Sequence, residues 1–116
     1  MKITPYTEVE PQVFDSGDMV GTTGRVVIGK ADGADNFCMR VFELPKGTVS
    51  HFHAHDWEHE VFIHSGKGEA LCDGKWVPVQ TGHVIFIPGG EEHQLKNSHD
   101  EPLVFVCLVP SGAPEM

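Results

Sequence analysis

Frequent glycines and prolines are the feature of this sequence that most limits its fold. Thirteen glycines and eight prolines divide the 116 residues into short stretches in which apolar and polar side chains mostly alternate. Alternation with a period of two is typical of β-strands, and no window keeps the three-and-four spacing that a substantial helix needs. The pattern therefore predicts an all-β fold.

The alternating stretches predict nine short strands and one well-defined turn. We expect the turn at Asp73-Gly74, because an Asp-Gly pair readily takes the positive φ angles of a two-residue type I′ hairpin. The apolar run from Val84 to Ile87 is expected in the core. Many short strands without helices favour a barrel or a sandwich. The predicted strands cover residues 25–29, 37–45, 48–55, 60–64, 68–72, 75–80, 83–88, 93–97 and 103–109.

Charge and length exclude several classes of function. Eight Lys and Arg against seventeen Asp and Glu give a net charge of −9, and no basic cluster could neutralise phosphates, so we expect no nucleic-acid partner. No apolar run approaches the roughly eighteen residues of a membrane span, and the first residues lack the apolar segment of a signal peptide. We expect a cytoplasmic protein with no membrane partner, folded as one domain over residues 1–116.

Four of the eight histidines lie in the segment HFHAHDWEH, residues 51–59. Residues two apart on an extended strand point to the same face, so the imidazoles of His53 and His55 can converge on one ion. A short turn after His55 is expected to bring the chain back onto the adjacent strand. There either His59 or Glu60 points inward with its neighbours, and the alternation of side chains along the strand does not decide between them. The segment predicts a site for a transition metal, for which imidazole is a common ligand.

The other residues near this segment carry weaker signals. His51 shares the face of His53 and His55, so it either lines the mouth of a pocket or faces solvent. Trp57, in the turn, is interpreted as a packing residue rather than a lid. Three histidines are interpreted as surface or hydrogen-bonded residues without function: His64, His83 and His99.

Two stretches of the sequence resemble the two motifs of the cupin superfamily. The first runs from Gly47 to Gly66 and has histidine where the motif usually has glutamate. The second matches at every fixed position, which are Gly82, Pro88, Gly90, His93 and Asn97. The resemblance, closest to small single-domain bacterial cupins, implies a double-stranded β-helix, the jelly-roll cupin barrel. Its core would span about residues 25–110, with both motifs within 47–97.

The resemblance also implies a set of metal ligands. Counting six residues back from Gly66 gives His59 rather than Glu60. Because imidazole suits Mn, Fe, Ni, Co, Cu and Zn, we expect one divalent transition-metal ion per subunit without a prediction of which metal. Four neutral ligands would leave its double charge uncompensated and two coordination positions open for substrate or dioxygen. The implied ligands are His53, His55, His59 and His93.

Three further residues are candidates for the substrate pocket. Phe105 and Cys107 lie in a segment that resembles the last strand of four-histidine cupins, where a cysteine can face the metal; an inert buried thiol is the alternative for Cys107. Arg40 lies in a strand with apolar side chains on both faces. Parity therefore does not decide whether its guanidinium points inward to bind an anionic substrate or outward into solvent.

These observations lead to the hypothesis of a metal-dependent oxidoreductase of dioxygenase type. It would act on a small organic molecule, anionic if Arg40 faces inward, together with dioxygen. The alternative is a non-enzymatic module that binds a small ligand or a metal. No general base lies beside the implied ligands, which argues against isomerase chemistry. Edge strands and a small core predict a homodimer formed by exchange of amino-terminal strands.

Overall fold

The computed structural model describes residues 1–116 and consists mainly of β-strands. Three 3₁₀ turns lie outside the strands, at Tyr6–Glu8, Gly17–Met19 and Lys30–Asp32. None of the helical segments has the length or the apolar character to cross a membrane. The strands are β1 (Gln12–Val13), β2 (Thr23–Ile28), β3 (Phe37–Leu44), β4 (His59–Ser65), β5 (Lys67–Cys72), β6 (Lys75–Gln80), β7 (Val84–Ile87), β8 (Leu95–Lys96) and β9 (Leu103–Pro110).

The strands form two antiparallel sheets, as a jelly-roll cupin barrel requires. The larger sheet has the order β1-β2-β3-β9-β4-β7, and the smaller sheet has the order β6-β5-β8. The hairpin between β5 and β6 contains the predicted turn, with φ angles of 50° at Asp73 and 75° at Gly74. The predicted all-β fold and the predicted hairpin are both confirmed.

The main core lies between the two sheets. Leu44, Ile63 and Leu103 of the larger sheet are each at most 1% exposed. They belong to one apolar cluster with Val79 of β6 and Leu95 of β8. Burial of such side chains contributes roughly 1.5–3 kcal/mol each, so this cluster is the chief source of stability between the sheets.

Asn97, a fixed position of the second motif, has a structural role. Its buried side-chain amide donates to the carbonyl oxygens of Leu44 and Glu101, both at 2.8 Å. Its side-chain oxygen accepts a hydrogen bond of 2.9 Å from the backbone N–H of His99. All its polar atoms are therefore paired, as burial demands. Asn97 ties the end of β3 to the loop that precedes β9.

The predicted strand over residues 48–55 is wrong. This segment lies against residues 93–97 through isolated bridges, one of them between His53 and His93, and through scattered hydrogen bonds that do not form the regular ladder of a strand. Between the bridges, Phe52 is 54% exposed. Alternation of side chains alone does not provide a continuous hydrogen-bonding partner, so the segment remains a loop. The predicted strand over 93–97 is correspondingly reduced to β8.

The prediction that the run from Val84 to Ile87 lies in the core is wrong for two of its residues. In β7, an edge strand, Ile87 is buried, but Val84 and Phe86 are 76% and 60% exposed. A run of four apolar residues carries no alternation from which the outward face could be read. Phe62 of β4, which pairs with Val84, is also exposed. We refer to Phe62, Val84 and Phe86 as the outer apolar patch.

Candidate metal centre

Four histidines from separate segments come together in the structure. His53 and His55 lie in the loop between β3 and β4, His59 is the first residue of β4, and His93 lies in the loop before β8. Their nitrogen atoms that could bind a metal all lie within 4.8 Å of one another. Residues up to forty positions apart in the chain are thus gathered into one cluster, which we call the four-histidine cluster.

The alternation of β4 turns His59 inward. His59, Val61 and Ile63 are buried, whereas Glu60 is exposed.

The expectation that the turn after His55 returns the chain to an adjacent strand is wrong. The loop that carries His55 borders the smaller sheet through its bridge to the segment before β8, and β4 lies in the larger sheet between β9 and β7. The cluster therefore joins the two sheets.

Backbone contacts hold the two loops of the cluster together. The N–H of His93 donates to the carbonyl oxygen of His53 at 3.0 Å, and the N–H of His53 donates in return at 3.4 Å. Gly89 passes so close to the carbonyl group of Asp56 that a side chain at Gly89 would overlap it. The second-motif loop is therefore packed directly against the first-motif loop, which fixes the positions of their histidines.

Hydrogen bonds orient the imidazole rings. Nδ1 of His55 donates to the carbonyl oxygen of Trp57 at 2.9 Å, and Nδ1 of His93 donates to that of Glu91 at 3.0 Å. A neutral ring protonated on Nδ1 presents an unprotonated Nε2. Nε2 of His55 lies 2.9 Å from Nε2 of His59, and Nε2 of His93 is buried without any partner. The Nε2 lone pairs thus face a common centre.

Burial favours the neutral form of three of these histidines. It lowers the pKa of His59 to about 3, and the nearby positive charge of Arg40 contributes to the same shift. The pKa values of His53 and His93 are also lowered, again mainly because the His93 ring is buried and the His53 ring is partly removed from water. Neutral imidazole is the form that binds metal ions. His53, His59 and His93 therefore favour their ligating form at neutral pH.

An apolar cavity of about 370 Å³ adjoins the four-histidine cluster. This volume lies within the range of roughly 300–1000 Å³ that is typical of small-molecule sites. Phe42 and Phe105 stack in its wall with ring centroids 5.5 Å apart. The indole of Trp57 lies flat on the ring of His55 at 4.1 Å, so Trp57 packs against the cluster while it lines the cavity.

All three candidate pocket residues lie in the cavity wall. Arg40 of β3 pairs with Cys107 of β9, so both side chains point to the same face of the sheet, as does Phe105. Nη2 of Arg40 donates to Sγ of Cys107 at 3.1 Å, and this sulfur lies 3.3 Å from Nδ1 of His59. Arg40 and Cys107 thus face inward and contact the four-histidine cluster.

Burial also determines the state of the Cys107 thiol. It raises the pKa of Cys107, and this effect exceeds the opposing influence of the Arg40 charge. The reduced side chain is therefore a protonated thiol at neutral pH, and a thiolate is the reactive form of cysteine. The arrangement favours Cys107 as a contact of His59 over Cys107 as a nucleophile.

The four histidines outside the cluster differ in position. His51 lines the cavity mouth, whereas His64, His83 and His99 are exposed and lie outside the cavity.

Several lining residues could not be identified from the sequence. Phe42 follows Arg40 by two residues, so its inward position follows once that of Arg40 is known. No sequence signal predicts the part of the wall that comes from the two ends of the chain, which is formed by Phe14, Met19, Pro114 and Met116.

Comparison with known proteins yields a family and partial relatives. The family model described as a cupin domain matches residues 40–109. Over 72 residues the chain is 35% identical to glucose-6-phosphate isomerase of Pyrococcus horikoshii, covering 57% of this chain and 38% of that protein. Over 68 residues it is 34% identical to an oxalate-binding protein of Thermotoga maritima, covering 58% and 56%. The chain thus spans less than two thirds of the length of either relative.

Similarity to solved structures extends over almost the whole chain. The polyketide cyclase RemF from Streptomyces resistomycificus superposes with a TM-score of 0.88 and 32% sequence identity. The similarity covers 98% of this chain and 82% of RemF. The two proteins therefore share the complete barrel and not only the motif region.

Proposed function

This chain belongs to the cupin domain family, and from this membership we propose that it is a metal-dependent enzyme acting on a small organic molecule. The observation that carries the proposal is the convergence of four imidazoles within 4.8 Å beside an apolar cavity. One divalent transition-metal ion per subunit would be bound, and imidazole suits Mn, Fe, Co, Ni, Cu and Zn. The ligands would be His53, His55, His59 and His93.

The residues of the cluster fit a metal ion. Nε2 of His93 is buried without a hydrogen-bond partner, and a buried polar atom normally has one. The Nδ1 atoms of His55 and His93 donate to backbone carbonyls, an arrangement that commonly fixes the tautomer of metal-binding histidines. For His59, Sγ of Cys107 at 3.3 Å is the acceptor available to an Nδ1–H group. Each of these contacts leaves Nε2 free for the metal.

The metal and the chain would divide the chemistry between them. When bound, a divalent ion held by neutral ligands supplies Lewis acidity or redox chemistry at its open positions. The apolar wall, including Phe42 and Phe105, would exclude water and position the substrate. Trp57 and Cys107 would hold the rings of His55 and His59 in place through the contacts described above.

We propose a reaction of dioxygenase type, in which both atoms of dioxygen enter the organic product. Two features favour it over isomerisation. The cavity is mostly apolar, which protects reactive intermediates from water. No Asp, Glu or Lys lines it, and isomerases require a positioned proton acceptor. His51, at the mouth of the cavity, is the one lining histidine that does not belong to the four-histidine cluster.

The test of this function is metal content followed by oxygen uptake. Tag-free protein is reconstituted with each candidate metal, desalted and analysed by plasma mass spectrometry. Oxygen uptake is then recorded with small aromatic and aliphatic acids, catechols and diketones. We expect near-stoichiometric retention of a metal and substrate-dependent oxygen uptake with a redox-active one. Failure of the parent protein to retain any metal would contradict the metal centre.

The same experiment separates two alternative functions. Substrate conversion that is equally fast without dioxygen would favour a Lewis-acid cyclisation, for which the similarity to the polyketide cyclase RemF is the support. Stoichiometric ligand binding without any conversion would favour a non-enzymatic binding module. The similarity to a protein named for binding oxalate supports that alternative.

The proposed enzyme is a homodimer. The outer apolar patch of Phe62, Val84 and Phe86 lines one surface groove, in which Phe62 pairs with Val84 and the exposed Glu60 pairs with Phe86. Contiguous apolar surfaces of this kind commonly mark interfaces. The patch lies at the β7 edge of the larger sheet, whereas the predicted exchange of amino-terminal strands would involve β1 at the opposite edge, which here pairs with β2 of its own chain. A second copy packed over the β7 edge would bury the patch in a two-fold interface.

Sedimentation of a charged variant tests the dimer. Phe86→Asp would place a second carboxylate beside Glu60 in the proposed interface, so we expect the parent to sediment as a dimer and this variant as a monomer at micromolar concentration. Val20→Asp is the matched control, because Val20 is 54% exposed and lies outside the patch. A monomeric parent, or a Phe86→Asp variant that remains as dimeric as the control, would refute this interface.

A further inference from the structure

Arg40 is a buried positive charge without a carboxylate partner. The residue is 7% exposed, and the ion pairs of the chain involve Lys2, Lys46 and His99 instead. The chain contains seventeen Asp and Glu residues, yet none of them lines the cavity that Arg40 faces. The charge of Arg40 is therefore left for a ligand to balance.

Neutral groups hold Arg40 in place on the cavity wall. The guanidinium lies 5.1 Å from the ring centroid of Phe42. Its Nη2 donates to Sγ of Cys107 at 3.1 Å and lies 3.5 Å from Nδ1 of His59, while its Nε is buried without an acceptor. Burial of an ionised group is costly unless the group is paired, and removing water strengthens its attraction for an opposite charge. The surroundings of Arg40 therefore favour binding of an anion.

We propose that Arg40 anchors an anion subsite that takes the carboxylate of a small organic acid with an apolar body. This proposal rests on the function proposed above for the same cavity and specifies its substrate class. A guanidinium is a planar fork of donors whose geometry matches a carboxylate. Because Arg40 contacts His59, a carboxylate at Arg40 lies next to the four-histidine cluster. The substrate would thus be held at the reacting end of the cavity.

The cavity wall favours an apolar acid over a sugar phosphate. The wall consists mainly of aliphatic and aromatic side chains, and Ser50 supplies its one hydroxyl group. The hydroxyls of a sugar would therefore lie unpaired against Phe42, Phe105 and their neighbours, and each unpaired polar group weakens binding. An aromatic or aliphatic body fits these surfaces instead.

The test compares charged and neutral probes of the same shape. Benzoate and hexanoate, with benzyl alcohol and hexanol as neutral counterparts, are titrated by calorimetry and ligand-observed NMR into parent protein and into Arg40→Met and Arg40→Lys variants. Arg25→Met is the matched control, because Arg25 lies outside the cavity and its Nε donates to the carbonyl oxygen of Val9. Each protein is studied metal-loaded and after chelation, so that a carboxylate bound by metal is distinguished from one bound by Arg40.

We expect the parent and the Arg25→Met variant to bind at least one of the acids in both forms. Binding should weaken roughly tenfold to a hundredfold in Arg40→Met and be partly restored in Arg40→Lys. Acids that bind no better than their alcohols, equal binding by Arg40→Met, or no binding to the parent at millimolar concentration would overturn the proposal. The parent titrations remain decisive if a variant does not fold.

Failure of this proposal is distinguishable from failure of the proposed function. Metal retention without an effect of Arg40 on acid binding refutes the anion subsite and leaves the metal centre intact. Acid binding that depends on Arg40 in a chain that retains no metal supports the subsite and refutes the metal-dependent enzyme.

Discussion

The His59→Ala variant is expected to lose the metal that the parent protein retains. His59 is the most buried member of the four-histidine cluster and would supply the ligand from the larger sheet. Its removal leaves three imidazoles, two of them on one loop. Mutating residues that merely support metal ligands costs about 10- to 100-fold in affinity, so loss of a ligand should cost at least about 100-fold. Plasma mass spectrometry after desalting measures the difference.

A stability measurement checks the same prediction independently. A metal that binds only the folded chain stabilises it by about 2.7 kcal/mol when its free concentration is a hundred times its Kd. Metal should therefore raise the melting temperature of the parent but not that of His59→Ala. His99→Ala is the control, because His99 is exposed and bonds only with groups outside the cluster, Glu69 and Asn97. Equal metal-dependent stabilisation in all three proteins would show that His59 is not a ligand.

The positions of the four histidines could be anticipated because the motif spacing and the strand alternation agree. His59 alternates with Val61 and Ile63, and this parity holds in β4. The sequence does not reveal that the cluster spans both sheets. That depends on which strands pair, and the neighbours of β4 are β7 and β9, which lie far along the chain.

The orientation of Arg40 could not be predicted, for a related reason. Both faces of β3 bear apolar side chains, because Val41 on its outer face belongs to a second small apolar cluster that also includes Val104. The face that carries Arg40 is identified only by its partner Cys107, which is 67 residues away. Long-range register of this kind is set by the packing of the whole barrel rather than by any local pattern. The exposed face of β7 could not be predicted, because consecutive apolar residues show no alternation that would distinguish the outer face from the inner one.

The largest loss of stability is expected at a motif glycine, Gly66. It is the single residue between β4 of the larger sheet and β5 of the smaller one. Its φ angle is +91°, and a side chain there would overlap the backbone of Pro102 and press on Leu103, which is fully buried. Gly82, with a φ angle of +88°, has open space at the same place, so Gly82→Ala isolates the cost of the backbone conformation.

The two variants should therefore differ widely in their free energy of unfolding. A left-handed conformation costs a residue other than glycine about 1–2 kcal/mol, which is the loss expected for Gly82→Ala. In Gly66→Ala the new side chain must also displace a backbone segment that supports the core. We therefore expect a total loss above about 4 kcal/mol, which is a large part of the roughly 5–15 kcal/mol free energy of unfolding typical of a domain. Denaturant unfolding followed by circular dichroism measures both. Equal losses would mean that the approach to Pro102 costs nothing, and that the first motif ends in glycine for its backbone angle alone.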